Sequence, residues 1–143
     1  MRHRIPAKLR GLMEMLENRT AACRGLTLTI AIDYGGRDEL TRAARQLAGE
    51  VSAGRLDPSA IDEASLSAAL DTRGLPDPDF IIRTSGEMRI SNFLLWQGAY
   101  AEYSFPATAW PDFTADHLAT AIDVFQSRQR RFGHAEVPLT AIS

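Results

Sequence analysis

Residues 83–91 read Arg-Thr-Ser-Gly-Glu-Met-Arg-Ile-Ser, a polar stretch with arginines at both ends of a turn. A guanidinium offers a planar fork of donors, and two of them on one loop can clamp a diphosphate from two sides. Gly86 lets the backbone come close to a ligand, N–H groups at the start of a following helix favour an anion, and the Ser91 hydroxyl can donate beside them. Arg83, Arg89 and Ser91 are therefore candidate anion ligands. The competing account is a solvated loop whose arginines pair with Glu87 and Asp79, and composition alone leaves the two level. A second polar turn, Asp33-Tyr34-Gly35-Gly36-Arg37, follows an apolar run. It puts Arg37 where ligands bind in open α/β sheets, beyond the carboxyl ends of strands, although the same residues also make a plain strand-to-helix turn.

Glu102 closes the apolar stretch Asn92–Ala101, whose composition predicts a buried helix. A carboxylate at a helix C-terminus opposes the dipole and needs a cation, either an arginine or a metal ion. Oxygen donors beside a diphosphate suit Mg²⁺, which rarely takes an all-protein cage. Residues alone favour the arginine. Arg128, Arg130 and Arg131, with Gly133 behind them, end the last helical stretch. They complement that helix's C-terminus or supply a second anion contact, across a subunit interface in the sharper reading.

The elements that carry these residues alternate. Helical spacing runs from Ala7 to about Ala22, with Pro6 in the first turn. Leu26–Ile32 (LTLTIAI) is expected to be a buried strand. A helix follows from about Glu39 to Val51, capped by Asp38 or a neighbour, then a short one near Glu63–Asp71. Phe80–Ile82 and Tyr103–Phe105 are further short strands. Trp96 and Tyr100 are expected in the core. A last amphipathic helix runs from Thr114 to about Arg131, with Leu118, Ile122, Val124 and Phe125 inward. The pattern predicts an α/β domain with a mostly parallel sheet flanked by helices, residues 1–143 forming one domain with a loose tail from about 134. About three strands is a thin sheet for that architecture.

The 143 residues are 45% hydrophobic and 24% charged, with a formal net charge of -2, which argues against a general nucleic-acid binder. The lone cysteine, Cys23, excludes an internal disulfide, and no apolar run reaches the ~18 residues of a spanning helix, so a cytoplasmic setting is expected. Neither CxxC nor HExxH occurs.

The string from Ile82 to Gln97 (IRTSGEMRISNFLLWQ), followed by Ala99-Tyr100-Ala101-Glu102, resembles the C-terminal signature of the cis-prenyltransferases, the undecaprenyl diphosphate synthase family. The likeness runs from about Pro6 to Gly133. It takes in Gly25-Leu26-Thr27-Leu28, Tyr34-Gly35-Gly36-Arg37, Trp110-Pro111-Asp112-Phe113 and Arg130-Arg131-Phe132-Gly133. The resemblance implies that Arg83, Arg89 and Ser91 hold the diphosphate of isopentenyl diphosphate. It implies that Glu102 helps place Mg²⁺, and that Arg131 and Gly133 reach the neighbouring subunit's site in a dimer. The family's Asp-Gly-Asn-Gly-Arg-Trp-type motif, with its catalytic aspartate and allylic diphosphate loop, is absent, so the N-terminal part of the family fold is expected to be missing. Asp33 stands where the family has Asn, and His134 where it has a second glycine. The DDxxD motif of trans-prenyltransferases is absent too.

The leading expectation is one subunit of a two-component enzyme. It joins isopentenyl diphosphate to an allylic diphosphate with Mg²⁺, and a second chain carries the N-terminal motif. The alternatives are a non-catalytic scaffold or regulatory subunit, a truncated inactive fragment, and a homodimer that condenses without the usual aspartate. Product length and the allylic substrate are not encoded in these residues. Peripheral membrane contact is compatible with a lipid product.

Overall fold

The structure, a computed structural model, describes residues 5–128. They divide into two compact units, one ending at Tyr34 and the other starting at Gly35.

In the first unit, helix α1 spans Ala7–Thr20. Pro6 is its N-cap, with extended backbone, rather than a first-turn residue. The Thr20 hydroxyl donates back to the Leu16 carbonyl at 2.9 Å in the last turn. The helix buries none of its residues, and Leu9, Leu12, Met15 and Leu16 are all exposed. The run Leu26–Ile32, expected as a buried strand, is irregular extended chain with exposed side chains. High β-propensity is not enough: a strand exists only with a neighbour to complete its ladder, and no other described residue supplies one.

The second unit has helix α2 (Gly36–Ser52), a 3₁₀ turn at Pro58–Ala60 and helix α3 (Glu63–Ala68). Strands β1 (Phe80–Ile82) and β2 (Glu102–Ser104), a 3₁₀ turn at Trp110–Asp112 and helix α4 (Ala115–Ser127) complete it. The two strands pair in parallel, Phe80 opposite Glu102 and Ile82 opposite Ser104. Asp62 and Thr114 cap α3 and α4 in capping boxes with Ser65 and His117, each satisfying an otherwise unpaired N–H of a first turn. Ala43, Leu47, Leu70 and Ala121 are buried, and Phe80 of β1 stacks on Phe125 of α4 with ring centroids 4.9 Å apart. The inward face of α4 is thus narrower than its pattern suggested: Leu118, Ile122 and Val124 are exposed.

The expected helix over Asn92–Ala101 does not form. Ser91, Asn92 and Leu94 have φ of 50°, 64° and 46°, left-handed values that no right-handed helix accommodates. The segment is a chain of turns, closed by bonds such as Gly98 N–H to Leu94 O at 2.8 Å. Its burial is the reverse of its polarity: Gln97 is buried, whereas Phe93 and Tyr100 are exposed. Tyr100 is therefore surface rather than core. Glu102, expected at a helix end, is the first residue of β2.

Candidate functional site

The loop after β1 leaves the sheet through a tight turn. Ser85 and Gly86 have φ of 69° and 65°, and Gly86 takes without strain a backbone that Ser85 takes at a cost. Three donors pin it to the end of β2 and the chain just beyond. Arg83 N–H reaches Ser104 O at 2.9 Å, Ser85 N–H reaches Thr108 O at 2.8 Å, and Gly86 N–H reaches Pro106 O at 2.8 Å. These backbone donors are committed to the protein, and the loop leads into turns rather than a helix. The backbone N–H groups expected to cradle an anion here are thus not available at Arg83, Ser85 and Gly86.

Arg83 and Arg89 line one cavity of about 220 Å³ together with Ile81, Ile82, Ile90, Phe93 and Tyr103. Arg83 Nη1 donates to Arg89 O at 2.5 Å, so one guanidinium fixes the backbone that carries the other. Arg89 is paired with Glu87, the partner foreseen for a solvated loop. Its side chain is 64% exposed, so that pair is open to exchange for a ligand anion. Ser91 is exposed on the same loop but does not line this cavity.

Arg37 lies in the first turn of α2. Asn92 joins this turn to the arginine loop: its Oδ1 accepts from Arg37 N–H and its backbone O from Gly36 N–H, both at 2.8 Å. Two of the four N–H groups that a helix start leaves unpaired are thereby satisfied from 55 residues away. This close approach explains the Gly35-Gly36 pair. A Cβ on Gly35 would sit 2.9 Å from Asn92 Nδ2, and one on Gly36 would sit 2.8 Å from Leu95 Cγ. The cap expected from Asp38 is absent, and Asp38 instead accepts from Arg42 Nε at 2.9 Å.

Below this junction lies a buried polar cluster that sequence reasoning missed. Glu39, 1% exposed, accepts from Asp71 N–H at 2.8 Å and from Gln97 Nε2 at 3.2 Å. Gln97 also donates to Thr72 Oγ1 at 2.7 Å. Beside the cluster, in more exposed surroundings, Trp96 Nε1 donates to Ser67 Oγ at 2.9 Å. Outside the cluster, Arg42 forks onto Asp71 at 2.9 and 2.6 Å, holding that carboxyl below the usual carboxylate range. The only sequence signal was Glu39 on the apolar side of an amphipathic helix. Its partners lie too far along the chain to be guessed.

Glu102 Oε2 meets Arg128 Nη1 at 3.1 Å, and the same nitrogen lies 3.3 Å from Tyr103 O. The cation expected beside this carboxylate is thus an arginine, as the residues alone favoured. No group of three or more acidic, His or Cys side chains gathers among the described residues. A divalent cation here would take one protein carboxylate, with its remaining ligands from substrate oxygens and water, which fits Mg²⁺. Arg131 and Gly133 lie outside the described residues. No helix among the described residues is long and apolar enough to cross a membrane.

Known proteins bear out the resemblance. The prenyltransferase family profile described as undecaprenyl diphosphate synthase matches residues 1–133. An isoprenyl transferase of Brucella abortus is 53% identical over 135 residues, 94% of this chain and 53% of its own length. A (2E,6E)-farnesyl-diphosphate-specific ditrans,polycis-undecaprenyl-diphosphate synthase of Xanthomonas axonopodis pv. citri is 52% identical, covering 92% of this chain and 51% of its own. Lavandulyl diphosphate synthase of Lavandula x intermedia, solved with dimethylallyl diphosphate, superposes with a TM-score of 0.89 at 37% identity. That match covers 93% of this chain and 57% of the plant enzyme's. The chain thus spans about half the length of the curated relatives it matches. By profile, by identity and by fold, it belongs to the cis-prenyltransferase (undecaprenyl diphosphate synthase) family.

Proposed function

We propose that this chain is one component of a cis-prenyltransferase and supplies the half-site for isopentenyl diphosphate, with a second chain carrying the allylic diphosphate site and the catalytic aspartate. One observation carries the reading: Arg83 and Arg89 share a cavity of about 220 Å³ with aliphatic and aromatic walls. A diphosphate with a five-carbon tail asks for that pairing, cationic donors for the head and apolar lining for the chain.

Arg83 and Arg89 hold the diphosphate, Ser91 donates from the same loop, and Arg37, whose backbone N–H is held by Asn92, is a further ligand for it. The apolar wall orients the tail and excludes water from it. Glu102 would hold Mg²⁺, which when bound supplies positive charge to a departing diphosphate. Arg128 then serves as the counter-ion of Glu102 in the unloaded state. Arg131 and Gly133 complete a neighbouring subunit's site in the dimer, and the reaction is cytoplasmic with a lipid product.

The test is condensation of labelled isopentenyl diphosphate onto an allylic diphosphate with Mg²⁺, for the chain alone and for the chain co-expressed with partner candidates. Product only with a partner is the expected result, and product from the chain alone removes the two-component reading. A scaffold reading draws on one observation, that Arg89 and Glu102 are already neutralised by Glu87 and Arg128. Arg89→Ala separates the two, because a scaffold's complex keeps its rate while a half-site donor's loses most of it. A truncated inactive fragment would instead show a broad, non-cooperative melt by circular dichroism.

A further inference from the structure

The cavity at the end of β1 is built in rows. Arg83 N–H continues the strand ladder by donating to Ser104 O at 2.9 Å, so Arg83 and Ile81, two residues apart, face the same side of the sheet. Tyr103 stands opposite Ile81 in the parallel register. All three line the cavity, with a guanidinium at one level and the Ile81–Tyr103 pair about 6.6 Å behind it, two strand residues back. That spacing is the reach of a short branched five-carbon tail whose diphosphate sits at the arginines. Tyr103 is fixed in its place. Its ring stacks on Phe105 with centroids 5.8 Å apart and planes 8° apart. Its hydroxyl backs onto buried Gly98, where a Cβ would come within 2.9 Å of that oxygen and 3.2 Å of Ile81 Cδ1. The room left by the missing side chain of Gly98 is thus taken up by the phenol and its cross-strand neighbour.

We infer that Tyr103, backed by Gly98 and abutted by Ile81, is the floor of the tail pocket and sets the size of the C3 substituent that this half-site admits on a homoallylic diphosphate. The inference rests on the half-site reading and names the residue that makes that site selective. The head is held by charge, which treats all diphosphates alike, so discrimination among them comes from the apolar end. Two of the apolar side chains there, Ile90 and Phe93, are exposed and sit on the loop and the turns after it, where they can yield to a larger group. Tyr103 is half-buried in β2, with a stacked ring beside it and no space behind its hydroxyl, so it cannot. Condensation requires the terminal methylene of isopentenyl diphosphate to stay free to meet the allylic carbon. The methyl branch at C3 is therefore the group left to meet the floor.

The test titrates the full chain, by calorimetry, with isopentenyl diphosphate, with its 3-ethyl homologue (3-ethylbut-3-enyl diphosphate) and with inorganic pyrophosphate. One methylene too many against a closed apolar floor should weaken binding about 10-fold or more, which sets the expected preference for the methyl compound over the ethyl one. Tyr103→Leu removes the far half of the ring and should bring that preference down to about threefold or less. Ile81→Val removes only the Cδ1 methyl, is mild for the fold, and should lower the preference by a smaller factor. It carries the test if Tyr103→Leu does not melt cooperatively. A preference that neither substitution moves overturns the floor assignment and leaves the half-site standing. So does a Tyr103→Leu chain that loses pyrophosphate and both tailed diphosphates by one common factor, because the residue would then act on the head or on the fold. Equal binding of the methyl and ethyl compounds to the unaltered chain also overturns the floor. Binding of none of the three removes the half-site reading and the floor with it.

Discussion

Residues 5–34 and residues 35–128 are built from similar sequence patterns and end in different physical states. Both begin with an amphipathic helix. Helix α1 buries none of its residues, whereas α2 buries Gly36, Glu39, Ala43 and Leu47. Both contain aliphatic runs of strand-like composition. Leu26–Ile32 has no ladder among the described residues, whereas Phe80–Ile82 pairs with β2. Periodicity specifies which face an element offers, but a partner decides whether that face is covered. Here the arginine loop, the Asn92 junction and the buried Glu39 cluster all belong to the partnered region, while the other region holds the exposed run Leu26–Ile32.

The contrast breaks most readily in the second unit's core. Leu70 is 1% exposed, and Leu70→Ala should cost about 2–5 kcal/mol in chemical denaturation, through lost transfer energy and the cavity left behind. A loss under about 0.5 kcal/mol, the range of an ordinary surface change, would mean that this unit is no better packed than the first.

The junction comes next. Gly36→Ala forces a methyl to within 2.8 Å of Leu95 Cγ and should cost about 1–3 kcal/mol, with Arg37 and Arg89 displaced together. Asn92→Ala removes the remote cap and should cost about 0.5–2 kcal/mol, while Asn92→Asp keeps an acceptor and should recover most of it. If Asn92→Ala left both the melt and the binding of isopentenyl diphosphate untouched, α2 and the arginine loop would be independent.

A smaller effect is electrostatic. Arg42 holds the Asp71 carboxyl below its ordinary range, so the folded chain gives up that proton more readily than the unfolded one. The pair's contribution is fully present above the ordinary carboxylate range and is lost as pH falls from that range down through the lowered value of the folded state. With Asp71 49% exposed in this pair, the slope is shallow. Asp71→Asn should flatten the acid limb of a pH–stability curve, and an unchanged limb would assign the slope to other carboxylates.

Much of this was legible from the residues. Helix positions followed from apolar spacing, and Thr114 marked the start of the last helix, where its cap bond to His117 is local; the Asp62 cap of α3 is just as local and went unread. Arg83 and Arg89 were readable as a pair because seven-residue proximity on a polar loop needs little tertiary knowledge. The failures share one cause. Asn92–Ala101 has helical composition, but its start is bent to cap α2 across 55 residues of sequence. Glu39 and Gln97 are polar residues at positions the pattern turns inward, but their partners Asp71 and Thr72 lie too far along the chain to be read from it. The one local hint of such an approach was the Gly35-Gly36 pair, since adjacent glycines ahead of a helix mark a place where something packs against the backbone.

The smallest expected effect sharpens the comparison furthest. Leu28, at 75% exposure, has an aliphatic side chain that a folded domain would normally cover. Leu28→Ser in the chain alone should change stability by no more than about 0.5 kcal/mol, because little apolar surface returns to water that was not already there. A larger loss would place Leu28 in a core of its own unit.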